Sequence, residues 1–179
     1  RALYGTAAPI ESDDSAMWED WIPDQLDGFF SDLPADETGV EAVRLGLSRL
    51  GDPYSQEKRG QGSYTDCSYL VQWVYKKLGV NLPGTAAAQG KYCVDNGLTI
   101  PKSSLAPGDL VFWSHKPNGR FMNITHVGIY DGDGKVVDAS STRGQVVYRD
   151  LFDSGKQVLY ARPYAEVPEA SASGLISPL

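Results

Sequence analysis

Histidine and cysteine are scarce in this chain, with two of each among 179 residues. Cys67 and Cys93 form no C-x-x-C pair and have no zinc-ligand spacing to His115 or His126. A Cys67–Cys93 disulfide is possible on paper, but it would consume the one thiol whose setting invites chemistry, so Cys93 is expected to be a free, buried, structural thiol. Long apolar runs are absent, and none approaches the ~20 residues of a membrane span. There is no basic stripe of the kind that tracks nucleic acid, and no internal repeat. No signal peptide opens the chain, which starts Arg1-Ala2-Leu3-Tyr4-Gly5 and soon turns acidic; a trimmed piece of a secreted protein would read the same way.

What remains is ordinary in bulk and uneven in distribution. Hydrophobic residues make up 41% and charged residues 22%, as in a globular chain of one domain with extensions. The net charge of −7 belongs to one end. Residues 1–40 carry ten acidic residues and one basic residue, whereas residues 41–179 carry thirteen acidic and fifteen basic. Residues 1–37 therefore read as an acidic arm or linker, with Trp18, Trp21, Ile22, Phe29 and Phe30 among the acids and Pro23 breaking any helix there. Residues 38–165 read as the folded domain. Residues 166–179, rich in Ser, Ala, Gly and Pro, read as a flexible tail.

The folded part is organised around Tyr64-Thr65-Asp66-Cys67-Ser68-Tyr69-Leu70-Val71-Gln72-Trp73-Val74-Tyr75. Leu70, Val71, Val74 and Leu78 recur at helical spacing. Thr65 or Asp66 can cap the start, Lys76 and Lys77 suit the last turn, and Gly79 stops the helix. Cys67 thus falls in the first turn, where free amides and the positive dipole end stabilise a thiolate. Such a thiolate needs a histidine to become a nucleophile, and His126 in Thr125-His126-Val127-Gly128-Ile129-Tyr130 is the candidate. The polar flanks Asp66 and Ser68 argue against a dry, inert cysteine.

Elsewhere, Thr38 and Glu41 have the spacing of a capping box, with Val40, Val43, Leu47 and Leu50 as the apolar stripe of a helix that Gly51 ends. A short helix is expected around residues 86–96. Strands are expected at 109–113, 126–130, 135–139, 145–149 and 157–162, separated by Gly- and Asp-rich turns. Helices followed by a run of strands mean an α+β fold, with N-terminal helices packed on an antiparallel sheet of about five strands. Asp109, after the Pro107-Gly108 turn, reads as structural, and His115 as a solvated loop residue.

Five pieces in one order carry a family likeness: Gly51-Asp52-Pro53-Tyr54, Asp66-Cys67-Ser68, Leu82-Pro83-Gly84-Thr85, Pro107-Gly108-Asp109-Leu110-Val111-Phe112, and His126-Val127-Gly128-Ile129-Tyr130. Residues about 40–162 resemble the NlpC-type (NlpC and p-sixty) cell-wall cysteine peptidases, a compact papain-like family. The resemblance implies Cys67 as nucleophile, His126 as base and Asp138 as the residue that orients the base. It implies that Tyr54 lies beside the nucleophile and helps to polarise the carbonyl, and that Asp66 and Ser68 can bind the amine end of a substrate. Two departures are visible: Tyr69 stands where relatives usually have glycine, and Gly60-Gln61-Gly62-Ser63-Tyr64 replaces a Gly-Gly-rich approach to the cysteine.

The function that this resemblance implies is peptidoglycan hydrolysis. The enzyme would be a cysteine endopeptidase cutting a stem-peptide amide, between γ-D-glutamate and the diamino acid. It would need no cofactor and no metal, and it would be secreted or wall-associated in a bacterium. Its partners would be peptidoglycan stem peptides, with other domains of a longer chain left open. A CHAP-like amidase and an inactive wall-binding domain are the alternatives. The arm could dock on the domain surface as a linker, cover the groove, or contact a neighbouring domain. One geometric expectation follows from strand alternation. If Ile129 pairs with Lys135, or Tyr130 with Gly134, an odd loop sets His126 opposite Asp138 on one face, within hydrogen-bond reach.

Overall fold

The computed structural model describes residues 35–164. The readings of the N-terminal arm, up to residue 34, and of the tail lie outside the described residues. Three helices come first: α1 (Ala35–Leu47), α2 (Cys67–Lys77) and α3 (Ala86–Asp95). Five strands follow: β1 (Leu110–Trp113), β2 (His126–Tyr130), β3 (Lys135–Ser140), β4 (Gln145–Asp150) and β5 (Gln157–Ala161). They form one antiparallel sheet in the order β4-β3-β2-β1-β5. The architecture is the α+β one read from the sequence. Among the described residues, no helix is long and apolar enough to cross a membrane.

α1 departs from expectation in start and in face. It begins at Ala35, so Thr38 lies inside the helix and is buried, and Glu41 pairs with Arg44 at 2.7 Å instead of closing a capping box. The stripe is also rotated, because Val40 is 53% exposed while Ala42 and Leu45 are fully buried. The reason is close approach. A Cβ on Gly39 would lie 2.0 Å from the Pro107 carbonyl oxygen, and one on Gly46 would lie 3.0 Å from Val137. The helix turns its smallest residues toward the sheet, a choice that counting large apolar residues does not reveal.

α2 is the central helix. Leu70, Val71 and Val74 are fully buried and meet Leu110, Phe112, Val127, Ile129, Val137 and Ala139 from one face of the sheet. Each such side chain contributes about 1.5–3 kcal/mol by leaving water. Strand alternation sends Val111, Trp113 and Val136 to the opposite face, where Tyr130 and Phe152 cover them.

The β2–β3 hairpin sets the site. The observed pairs are Ile129 with Val137 and Tyr130 with Val136. Asp131 accepts hydrogen bonds from the Asp133 and Lys135 amides at 2.7 and 3.0 Å, and its own amide donates to the Lys135 carbonyl at 2.9 Å. The loop is therefore Gly132-Asp133-Gly134, one residue later than expected, with both glycines at positive φ (94° and 83°). The register differs by two from the expected pairing. Carried along the strands, it puts Asp138 opposite Gly128 and His126 opposite Ser140. The odd loop length was read correctly, so His126 and Asp138 still share a face.

Candidate active site

Cys67 is the first residue of α2, and Asp66 is its N-cap, accepting the Tyr69 amide at 2.8 Å. The Cys67 and Ser68 amides, in the first turn, have no acceptor within the helix. Cys67 is buried, with 8% of the residue exposed.

His126 opens β2, directly across from Trp113, whose ring centroid lies 5.2 Å away. Its Nε2 donates to Asp138 Oδ2 at 2.7 Å. With Nε2 on the carboxylate, Nδ1 is the nitrogen left for the Cys67 thiol. Burial of the ring opposes protonation, but the hydrogen bonds and charges of Asp138 and Cys67 outweigh it and push the imidazole from 6.5 up to about 10.

Asp138 is fully buried. Burial alone would raise its carboxyl, yet His126 and Arg149 together hold it below the usual carboxylate range. Arg149, on β4, donates from Nε to Oδ1 at 3.1 Å and from Nη2 to Oδ2 at 2.6 Å. Its guanidinium in turn lies 3.9 Å above the Phe152 ring. Gly128 makes the room. A Cβ there would come within 3.1 Å of the Asp138 Cβ and 2.7 Å of Val136.

Tyr54 bridges to Thr65, two residues before Cys67. Burial first, then the charges of Cys67 and Asp66, push its phenol up to about 12, so it remains a hydrogen-bond donor at neutral pH. Asp66 and Ser68 already hold a cation of the chain itself. Arg59 Nε lies 3.0 Å from Asp66 Oδ2, and Arg59 Nη2 donates to Ser68 Oγ at 3.3 Å and to the Gly84 carbonyl at 2.8 Å. Tyr69, in place of the usual glycine, stacks its ring 5.4 Å from the Arg59 guanidinium.

The remaining candidates fall outside this cluster. Cys93 is free and fully buried, and burial pushes its thiol up to about 12. Asp109 is bound by Arg162 at 2.8 and 2.9 Å, as befits a structural residue. His115 is not simply solvated, because Thr125 Oγ1 and Asp153 Oδ2 hold its two ring nitrogens at 3.2 and 3.1 Å. Among the described residues, no group of three or more His, Cys, Asp or Glu side chains is placed to hold a metal ion.

Sequence reasoning missed Arg149 and Arg59. Arg149 could have been found from the β3–β4 hairpin, where Ser140 pairs with Gln145 and Arg149 comes opposite Val136, diagonal to Asp138. Arg59 sits in a loop and gives no periodic signal.

A thiol at a helix N-terminus, an imidazole poised to be charged and a buried carboxylate behind it are the parts of nucleophilic acyl transfer. The comparisons agree with that class. The model of the NlpC/P60 family matches residues 51–163, and the chain belongs to that family. It is 34% identical over 106 residues to a protein named a probable endopeptidase from Corynebacterium glutamicum, covering 59% of this chain and 45% of that one. It is 38% identical over 111 residues to the bifunctional muramidase/DL-endopeptidase CwlT of Bacillus subtilis, covering 61% of this chain and 31% of that one. Among solved structures, NlpC1 from Trichomonas vaginalis superposes with a TM-score of 0.61 at 28% identity, over 70% of this chain and 44% of that chain. The chain thus spans less than half the length of these proteins.

Proposed function

We propose that this domain is a cysteine endopeptidase of peptidoglycan, hydrolysing the stem-peptide amide between γ-D-glutamate and the diamino acid. The observation that carries the reading is the Cys67, His126 and Asp138 constellation at the N-terminus of α2. The bond choice rests on the family resemblance and on the DL-endopeptidase relative.

The Cys67 thiolate attacks the amide carbonyl carbon, and the carbonyl oxygen becomes an oxyanion. In this reading the first-turn amides of α2 and the Tyr54 hydroxyl stabilise that charge; losing one such donor typically costs about 10²–10³ in rate. The His126 imidazolium gives its proton to the leaving amine, the C–N bond breaks, and an acyl thioester remains on Cys67. His126, now neutral, takes a proton from water as the water attacks the thioester, and the thiolate leaves. Asp138 orients the ring and favours imidazolium, and Arg149 fixes Asp138. Asp66 and Ser68 meet the amine end of the substrate after displacing the Arg59 guanidinium. The site of action is outside the cell, at the wall.

The test is a digest of purified muropeptides read by mass spectrometry. Stem fragments ending in γ-D-glutamate are expected with wild type and none above background with Cys67→Ala. Released whole stems would indicate the amidase reaction instead, and equal activity in the variant would overturn the cysteine mechanism.

A further inference from the structure

A cavity of about 760 Å³ opens on the His126 side of the cluster, with His126 in its wall. It runs between the His115–Lys116 loop and the Ser141–Arg143 turn. Of its acids, Asp150 is paired with Lys135 at 3.3 Å, and Asp153 lies 3.1 Å from the His115 ring, which cancels its charge only when that ring is protonated. Arg149 is committed to Asp138. Lys116 and Arg143 are exposed and have no acidic partner among the described residues. Lys116 and Arg143 therefore outnumber the one acid without a permanent cation beside it, Asp153, and the balance in the cavity is positive although the chain as a whole is acidic.

The leaving half of the substrate must start at His126, because that ring delivers its proton, and the cavity is the space that continues from there. We infer that this cavity is a binding site for a carboxylate on the leaving half of the substrate, held by Lys116 and Arg143. The inference rests on the endopeptidase reading and deepens it. A leaving diamino acid with a side-chain carboxylate is favoured over lysine: both side chains end in an ammonium, but only the former carries beside it the carboxylate that Lys116 and Arg143 attract. A free α-carboxylate at the end of a three-residue stem offers the same chemistry from a second source.

The experiment compares kcat/KM for synthetic stem peptides whose third residue is diaminopimelate, its side-chain monoamide, or lysine. Each is made as a tripeptide and as a tetrapeptide. At low ionic strength wild type is expected to favour the diaminopimelate tetrapeptide over its monoamide by about threefold to tenfold, as for partly exposed charge pairs, and the ratio should shrink as salt rises. The Lys116→Gln/Arg143→Gln double variant should bring the ratio close to one, while Arg143→Lys should keep most of it. Preference for tripeptides whatever the side chain would assign the site to the chain end instead. Equal wild-type rates on all substrates, or an unchanged ratio in the double variant, would overturn the inference. Should no peptide be cut, the endopeptidase reading fails. Binding of free diaminopimelate against lysine to Cys67→Ala, followed by NMR shifts of the Ser140–Arg143 amides, then decides the cavity separately.

Discussion

Two aspartates in this domain have nearly the same surroundings and different consequences. Asp109 and Asp138 are both fully buried in or beside the sheet, and each is gripped by both arms of an arginine fork, Arg162 and Arg149 respectively. The remaining capacity of Asp109 goes to the Ala106 amide at 2.7 Å, closing a turn. That of Asp138 goes to His126 at 2.7 Å. A buried carboxylate with an arginine is a fixture of the fold, and a third partner that can change its charge is what the proposed mechanism uses at Asp138. After His126, Arg149 also lowers the Asp138 carboxyl, and in the proposed mechanism it is what holds Asp138 when the His126 proton leaves.

The strongest way to break the parallel is to neutralise each aspartate in turn. Asp138→Asn should lower kcat/KM by at least ~10²-fold, since the amide can hold the ring in the wrong tautomer. Asp109→Asn should leave turnover within a few-fold at a temperature where the variant is folded. Both should lose stability, by about 3 kcal/mol each, because a buried charge loses its partner. Steady-state kinetics beside urea unfolding reads both quantities. Equal catalytic losses would mean that Asp138 is structural only.

A smaller and sharper difference lies in pH. His126 is raised from 6.5 to about 10, so its ionisation favours the folded state fully below about pH 6.5, and that share is lost as pH rises through about 10. The stability gap between wild type and His126→Gln should therefore narrow from pH 6.5 to 10. The gap between wild type and Asp109→Asn, measured over the same range, is the comparison, since no imidazole touches that pair. Thermal melts at half-unit steps suffice, and a constant His126 gap would mean that the ring is not charged in the folded protein.

The smallest effect concerns a third aspartate–arginine pair, Asp66 with Arg59, whose arginine side chain is 29% exposed. In the proposed mechanism the substrate's own amine is the rival cation here. Arg59→Ala should lower KM for a stem peptide with a free amine by about twofold to fivefold, in keeping with the small worth of exposed pairs, and should not do so for the N-acetylated peptide. A rise in KM for both would make Arg59 a support of the loop.

Much of this was legible from the chain alone, and the misses have physical causes. The five strands fell where β-branched runs met Gly- and Asp-rich turns, and the Cys67 helix where an Asp cap met a 3.6-residue stripe. The β2–β3 loop length was readable in its parity but not its place, because the Asp131 side chain closes the turn one residue later than strand pairing alone suggests. The face of α1 was misread because Gly39 and Gly46, silent in a hydrophobic count, are its closest contacts. Arg149 escaped notice because it meets Asp138 diagonally across the β3–β4 hairpin, a contact that only the strand register reveals, and Arg59 because it reaches Asp66 and Ser68 from a loop without periodicity; neither belongs to a motif.

The contrast between the two cysteines has a practical side. Cys93 is sealed and its thiol is held near 12, while Cys67, buried but 8% exposed, has the imidazole beside it. An electrophile applied to the folded protein near neutral pH meets one usable sulfur per chain. If Cys67 is the nucleophile proposed above, the mass added per molecule counts competent sites directly, without any engineered reporter.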